Sequence, residues 1–200
     1  MRTANKHEKI IQAAVKVLAR KGFFNARISD IAKEAQVADG TIYLYFNNKY
    51  DILISLFEEE IGKIIQDVKE LLAQETDPRR MIELFAVHHM KLMKDKRELA
   101  EVLQVELRQS NKFMKEYRNT RFMEYVDIIS TIIHLGKDQN IFRQDIQPGI
   151  AKRAFFGALD EMSRLWTLSP KHQYTLEETG LHIAGMFLNG LVDHKIPSLA

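Results

Sequence analysis

The sequence predicts an all-α protein of nine helices, with a small three-helix domain at the N-terminus and a larger helical domain after it. Three observations lead there. Apolar residues recur three and four apart through almost the whole chain, the spacing that gathers them on one face of a helix. They alternate nowhere over a strand's length, and no segment repeats. Between the periodic stretches stand helix signals: Asn48, Asp77-Pro78, Asn111, Pro148 and Thr175 at starts, Gly22 and Ser169-Pro170 at ends.

The first helix reaches Gly22-Phe23. Two short patterns follow, too short to persist alone because nucleation costs more than one or two turns return. In the first, Ser29 to Ala35, Ile28, Ile31, Ala32 and Ala35 share a face. Gln36-Val37-Ala38-Asp39 then turns the chain, with Asp39 as the expected cap of Gly40-Thr41-Ile42-Tyr43-Leu44-Tyr45-Phe46. Packed on the first helix, this pair has the arrangement of a helix-turn-helix, whose second helix enters the DNA major groove.

In that second helix Ile42 and Phe46 lie one turn apart and face the core. Gly40, Thr41, Tyr43 and Tyr45 are left outside: glycine for close backbone approach, hydroxyls and phenols for base edges or phosphates. Arg27 and Ser29, opening the first short helix, and Lys49, opening the next long one, complete the expected DNA-contacting set.

Asn48 caps a fourth helix from Lys49 to about Gln74, long enough to act as a connecting rod. A fifth runs from Asp77-Pro78 to about Lys94, and a sixth from Leu99 to Gln109. The seventh is expected from Asn111 to about Gln139, the eighth from Pro148 to Leu168 and the ninth from Thr175 to Val192. Two domains are therefore expected, residues 1–48 and 49–200.

The net charge of +2 is unevenly spread, with +5 over residues 1–50 and −3 over residues 51–200. The basic end is the one with the helix-turn-helix, and Arg2, Lys6 and Lys9 add a basic arm to it. DNA binding that weakens steeply with salt follows. The absence of cysteine excludes disulfides and thiol chemistry, and the charged start, with no 18-residue apolar run, predicts a cytoplasmic protein without membrane contact.

Between residues 108 and 121 stand five basic side chains and one acid. Arg108, Asn111, Lys112, Arg118 and Arg121 form a candidate site for a multiply phosphorylated ligand. Phe85, Leu103, Leu107, Phe156 and Trp166 are candidates to line an apolar chamber, although such residues equally fill cores. Helices eight and nine carry a candidate dimer seam of Phe155, Ala158, Met162, Leu181, Ala184, Phe187 and Leu188. Periodicity alone leaves an ordinary intrachain core face open for these. No metal ligands at usable spacing, nucleophile elbow or phosphate loop occurs, and adjacent Asp160 and Glu161 make a poor acid–base pair.

From Ile10 to about Phe57 the chain resembles the TetR family of one-component transcriptional regulators. The resemblance rests on Gly22-Phe23, Ser29-Asp30-Ile31-Ala32, Val37, Gly40-Thr41-Ile42-Tyr43-Leu44-Tyr45-Phe46, Lys49 and Asp51-Ile52-Leu53. Two positions depart from the family's pattern. Arg27 stands where a capping threonine is common, and Gln36 where glycine supplies a left-handed turn, a strain worth about 1 kcal/mol. The resemblance implies a homodimer paired through its last two helices on a palindromic operator.

Leu107-Arg108-Gln109-Ser110-Asn111, Phe156-Gly157, Asp160-Glu161 and Trp166 look like the fatty-acid-degradation regulators of Bacillus-type bacteria within that family. That implies repression of β-oxidation genes, no cofactor, and long-chain acyl-CoA as the releasing effector. An efflux regulator sensing cationic drugs, with Glu106, Asp160 and Trp166 in its pocket, and an acyl-CoA-binding enzyme are the alternatives.

Overall fold

The structure, a computed structural model, describes residues 2–109, 120–168, 171 and 173–192; the side chains of residues 2–5, 93, 104, 106–109 and 168 lie outside the description. Among the described residues there are nine α-helices: α1 Arg2–Asn25, α2 Ile28–Glu34, α3 Asp39–Ile42, α4 Lys49–Leu72, α5 Pro78–Asp95, α6 Arg97–Gln109, α7 Thr120–Asp138, α8 Pro148–Leu168 and α9 Leu176–Leu191. The one β feature described is an isolated antiparallel bridge between Phe142 and Val192. Of the seventh helix expected from Asn111, residues 120–138 are seen, and its first part falls outside the described residues.

The chain divides into two compact units, residues 1–63 with 96–121, and residues 64–95 with 122–200. The expected boundary at 48/49 thus falls inside the first unit, which also holds the first part of α4 and α6.

In the first unit Ile10, Ile11, Ala14 and Leu18 of α1 meet Ile31 and Ala32 of α2, Ile42 of α3, and Ile52, Leu53, Leu56 and Phe57 of α4 in one buried core. Each Ile, Leu and Phe among them contributes roughly 1.5–3 kcal/mol on burial. That packing is why a helix as short as α3 exists at all. α1 is broken at Gly22 (φ 69°, ψ 160°), a conformation that glycine adopts freely.

The turn after α2 closes by two backbone bonds, Gln36 N–H to Lys33 O at 3.2 Å and Val37 N–H to Ala32 O at 3.0 Å. It places Gln36 at φ 57°, the left-handed position anticipated from the sequence.

In the second unit α9 packs along α5 with α8 beside both. Gly180 marks the closest approach, since a Cβ there would lie 3.1 Å from the Ala86 carbonyl oxygen of α5. The core holds Phe85, Ala86 and Met90 of α5, Tyr125, Ile129 and Ile133 of α7, Phe155 and Leu159 of α8, and Ile183 and Ala184 of α9. Thr175 caps α9 as expected: its hydroxyl accepts from Glu178 N–H at 3.1 Å, while the Glu178 carboxylate accepts from Thr175 N–H at 2.8 Å.

Candidate DNA-reading site

α2 is held by its buried Ile31 and Ala32, and two ion pairs from α1 border it. Lys21 reaches Asp30 at 2.7 Å and Arg20 reaches Glu34 at 2.5 Å. Asp30 also accepts the Arg27 N–H at 3.0 Å, so a carboxylate closes the helix start that Arg27 itself has no acceptor to close. Its hydrogen bond to Lys21 holds the Asp30 carboxyl below the usual range, and Arg20 does the same for Glu34. Arg27 and Ser29 are both exposed beside these pairs.

α3 begins at Asp39, with Ala38 at the cap position and no side-chain cap bond. The expected capping by Asp39 is therefore corrected: its carboxylate sits within the first turn, where it faces the positive end of the helix. Beyond Ile42 the chain tightens, with Leu44 N–H on Thr41 O at 3.3 Å and Tyr45 N–H on Ile42 O at 3.0 Å. The reading element is thus one α-turn continued by a tighter one, shorter as a regular helix than the sequence suggested.

Its orientation is as expected, since Ile42 and Phe46 are buried and lock the other residues outward. Gly40 is exposed and a Cβ there would meet nothing within 4 Å, so no internal packing calls for glycine at this position. Tyr43 is 58% exposed, and Thr41 and Tyr45 are half-buried. Leu44, absent from the expected set, is 80% exposed, the most open of the large apolar side chains described. Its signal was its position between two outward tyrosines in a helix whose inward face was already filled.

Lys49 has another place than expected. Its ammonium donates to the carbonyls of Phe23, Ala26 (2.7 Å) and Phe24 (3.4 Å) and lies 4.5 Å from the centre of the Phe23 ring. These carbonyls end α1, where a cation satisfies groups that lack helical partners. The N-terminal amides of α4 are occupied too, with Tyr50 and Asp51 N–H on the Asn48 side chain at 2.8 and 3.0 Å. Lys49 is corrected from a phosphate contact to the fastener of the α1 terminus.

In the second unit an aromatic cluster surrounds one polar pair. His89 Nδ1 lies 2.9 Å from the Tyr125 hydroxyl, and Phe85 and Phe156 pack on the two rings. Burial pushes the His89 imidazole down to about 4, with the neighbouring His88 charge adding to the effect, so it is neutral at physiological pH. Burial likewise pushes the Tyr125 phenol far up, helped by the Asp160 charge. Phe85 is wholly enclosed and Phe156 half-buried, as are Leu103 and Trp166 elsewhere in the chain. The side chains of Leu107 and Arg108, and Asn111, Lys112 and Arg118 entirely, lie outside the described residues. Arg121 is described, and its Nε donates to Glu58 of α4 at 3.2 Å.

Two members of the expected dimer seam turn out to be core. Phe155 is 1% exposed and packs on Phe187 at 4.9 Å, and Ala184 is fully enclosed. Both face the chain's own helices and leave the set. Met162 and Leu181 are exposed, while Ala158, Phe187 and Leu188 are half-buried. Ile150, Leu165 and Met186 are further exposed apolar residues of α8 and α9.

Among the described residues no helix is long and apolar enough to cross a membrane, and no group of three or more His, Asp or Glu could hold a metal. A three-helix unit with an outward, locked second short helix defines a helix-turn-helix regulator. Residues 10–56 match the family described as bacterial regulatory proteins, tetR family, and residues 57–190 match the YsiA-like protein C-terminal region. The chain belongs to the TetR family of bacterial transcriptional regulators.

The fatty acid metabolism regulator protein of Bacillus subtilis is 34% identical over 186 residues, covering 93% of this chain and 95% of that protein. The crystal structure of the transcriptional regulator FadR from Bacillus subtilis in complex with stearoyl-CoA superposes with a TM-score of 0.85 at 34% identity, covering 92% and 98% of the two chains. The fatty acid degradation regulator FadR from Bacillus halodurans gives 0.85 at 36% identity, covering 92% and 95%.

Proposed function

We propose that this protein is a homodimeric repressor of fatty-acid degradation genes, released from a palindromic operator by long-chain acyl-CoA. The observation that carries this reading is the similarity, at 34% identity over 92% of the chain, to a FadR whose crystal structure holds stearoyl-CoA. Residues 1–48 serve as the DNA-reading domain and 49–200 as the ligand-binding and dimerisation domain. Arg27, Ser29, Gly40, Thr41, Tyr43, Leu44 and Tyr45 contact DNA. A pair of such domains reads two half-sites about 34–36 Å apart.

The aromatic cluster around Phe85 and Phe156 suits an alkyl chain, and the basic run from Arg108 to Arg121 suits phosphates. The effector works by binding more tightly to a conformation that holds DNA poorly, and the ratio of its two affinities sets the extent of release.

The test is an electrophoretic shift of a palindromic operator with stearoyl-CoA, stearic acid and CoA added separately. Release by stearoyl-CoA alone is the expected result. Equal retention of the DNA with all three removes the effector assignment.

A further inference from the structure

His89 of α5 is 5% exposed, and its Nδ1 lies 2.9 Å from the hydroxyl of Tyr125 on α7. The ring's other nitrogen, Nε2, is enclosed and meets no hydrogen-bond partner among the described residues. A buried polar atom in that state has lost its hydration for nothing in return, and calls for an explanation. The rings packed on the imidazole are Phe85 at 6.5 Å, Tyr125 at 6.0 Å and, edge on, Phe156 of α8 at 5.4 Å. Phe85 and Tyr125 are enclosed, whereas Phe156 is half-buried and meets the half-buried Phe122 at 5.2 Å. Of the three, Phe156 is the side nearest solvent.

Counting hydrogen bonds decides which nitrogen carries the proton. The imidazole is neutral, so it has one proton for two nitrogens. A proton on Nδ1 would point at the Tyr125 oxygen and leave two groups unpaired, the phenol proton and the Nε2 lone pair. With Tyr125 donating to Nδ1, the proton sits on Nε2 and that N–H is the single group left over. The second arrangement leaves fewer groups unpaired, so Nε2 is a donor. A neutral donor among aromatic rings suits a neutral acceptor, because a phosphate or carboxylate there would be buried as a charge. Methylene groups packed on Nε2 would leave it unpaired. A saturated acyl-CoA has one oxygen in its acyl part, the thioester carbonyl.

We propose that Nε2 of His89 donates a hydrogen bond to the thioester carbonyl of the effector, with Tyr125 holding the imidazole in the donating tautomer. This rests on the acyl-CoA reading above. It makes His89 an effector-contacting residue and Tyr125 a positioning residue.

The test is calorimetric titration of the full-length protein with stearoyl-CoA and with S-octadecyl-CoA, in which a methylene replaces the carbonyl. Wild type should bind the thioester about fivefold to tenfold more tightly, the size of one buried hydrogen bond. His89→Leu with Tyr125→Phe removes the donor and its orienting partner together, and the preference should vanish. Tyr125→Phe alone keeps the imidazole with its tautomer unfixed, and should show a preference between those two. The ratio compares two ligands on one protein, so general damage to the fold cancels from it. With stearoyl-CoA isotope-labelled at the carbonyl carbon, the infrared carbonyl band should lie lower bound to wild type than bound to either variant. A wild type that prefers neither ligand, the same preference in all three proteins, or one band position throughout overturns the hydrogen bond and leaves the effector reading intact. A wild type that binds neither ligand overturns that reading first, and the hydrogen bond with it.

Discussion

The Lys49 ammonium donates to the Ala26 carbonyl at 2.7 Å, tying the first residue of α4 to the end of α1. A cation there is also one less cation for DNA. Lys49→Met keeps most of the stem and removes the donor. It should lower stability by about 2 kcal/mol, the usual size for a charge-assisted hydrogen bond at a helix C-terminus, measured by urea unfolding. The salt dependence of operator affinity should keep its wild-type slope. A slope shallower by about 0.9 would place Lys49 on a phosphate after all.

Leu44 is 80% exposed beside the exposed Tyr43, on the outward side of the reading element proposed to meet DNA. An apolar side chain in the major groove reads the thymine methyl. For an operator selected from a randomised duplex pool, replacing one thymine per half-site by deoxyuridine should cost wild type about 0.8 kcal/mol, or about fourfold, for the lost methyl contact. Leu44→Ala should bind both duplexes alike. A thymine that matters equally to both proteins assigns the methyl to another residue.

Much of this architecture was legible because helix starts are written in a few residue types. Asn48, Pro78, Pro148 and Thr175 stand where α4, α5, α8 and α9 begin, and Ile42 and Phe46 turn inward as their spacing requires. What was not legible depends on groups that every residue shares or on occupancy that periodicity leaves blank. The carbonyls that take Lys49 are backbone, so no residue type announces them. The faces of Phe155 and Ala184 were visible in the pattern, but not that α8 and α9 turn them into their own protomer.

Gln36 was legible in a sharper way, as a non-glycine residue in a left-handed position (φ 57°). Gln36→Gly should relieve that strain, and Gln36→Val should aggravate it because a β-branched side chain fits positive φ worst. Strain relief of about 1 kcal/mol corresponds to a rise in Tm of about 2–4 °C for a chain of this size, less whatever the added freedom of the unfolded chain takes back. Thermal unfolding that ranks Gly below Gln would show the turn to be relaxed already.

His89 gives the second unit a pH dependence with a definite sign. Its imidazole falls from 6.5 to about 4 on folding, so between those values the unfolded chain holds a proton that the folded chain does not. Stability from this group is complete above about pH 6.5 and is lost as the pH drops toward 4, over a span on the order of 3 kcal/mol. Replacing both partners, His89→Leu with Tyr125→Phe, removes the polar pair without orphaning either half. The difference between wild type and this double variant should shrink or reverse from pH 7 to pH 4.5 in urea unfolding. A constant difference would mean that His89 titrates normally in the fold.

The burial pattern of α8 and α9 separates assembly from folding. Leu181 and Met162 are exposed on these helices with Ile150 and Met186, whereas Phe155 and Ala184 are enclosed. An acid placed on the exposed stripe meets water in the monomer and an apolar partner in the dimer, so only the dimer suffers. Leu181→Glu should therefore leave the unfolding of the monomer within about 0.5 kcal/mol of wild type. The same variant should shift sedimentation from dimer to monomer, and DNA affinity should fall because one helix-turn-helix reads only a single half-site. Phe155→Ala should do the opposite, costing about 3–5 kcal/mol of stability, with whatever protein remains folded still dimeric. A dimeric Leu181→Glu would move the pairing surface off this stripe, and a stable, monomeric Phe155→Ala would return Phe155 to it.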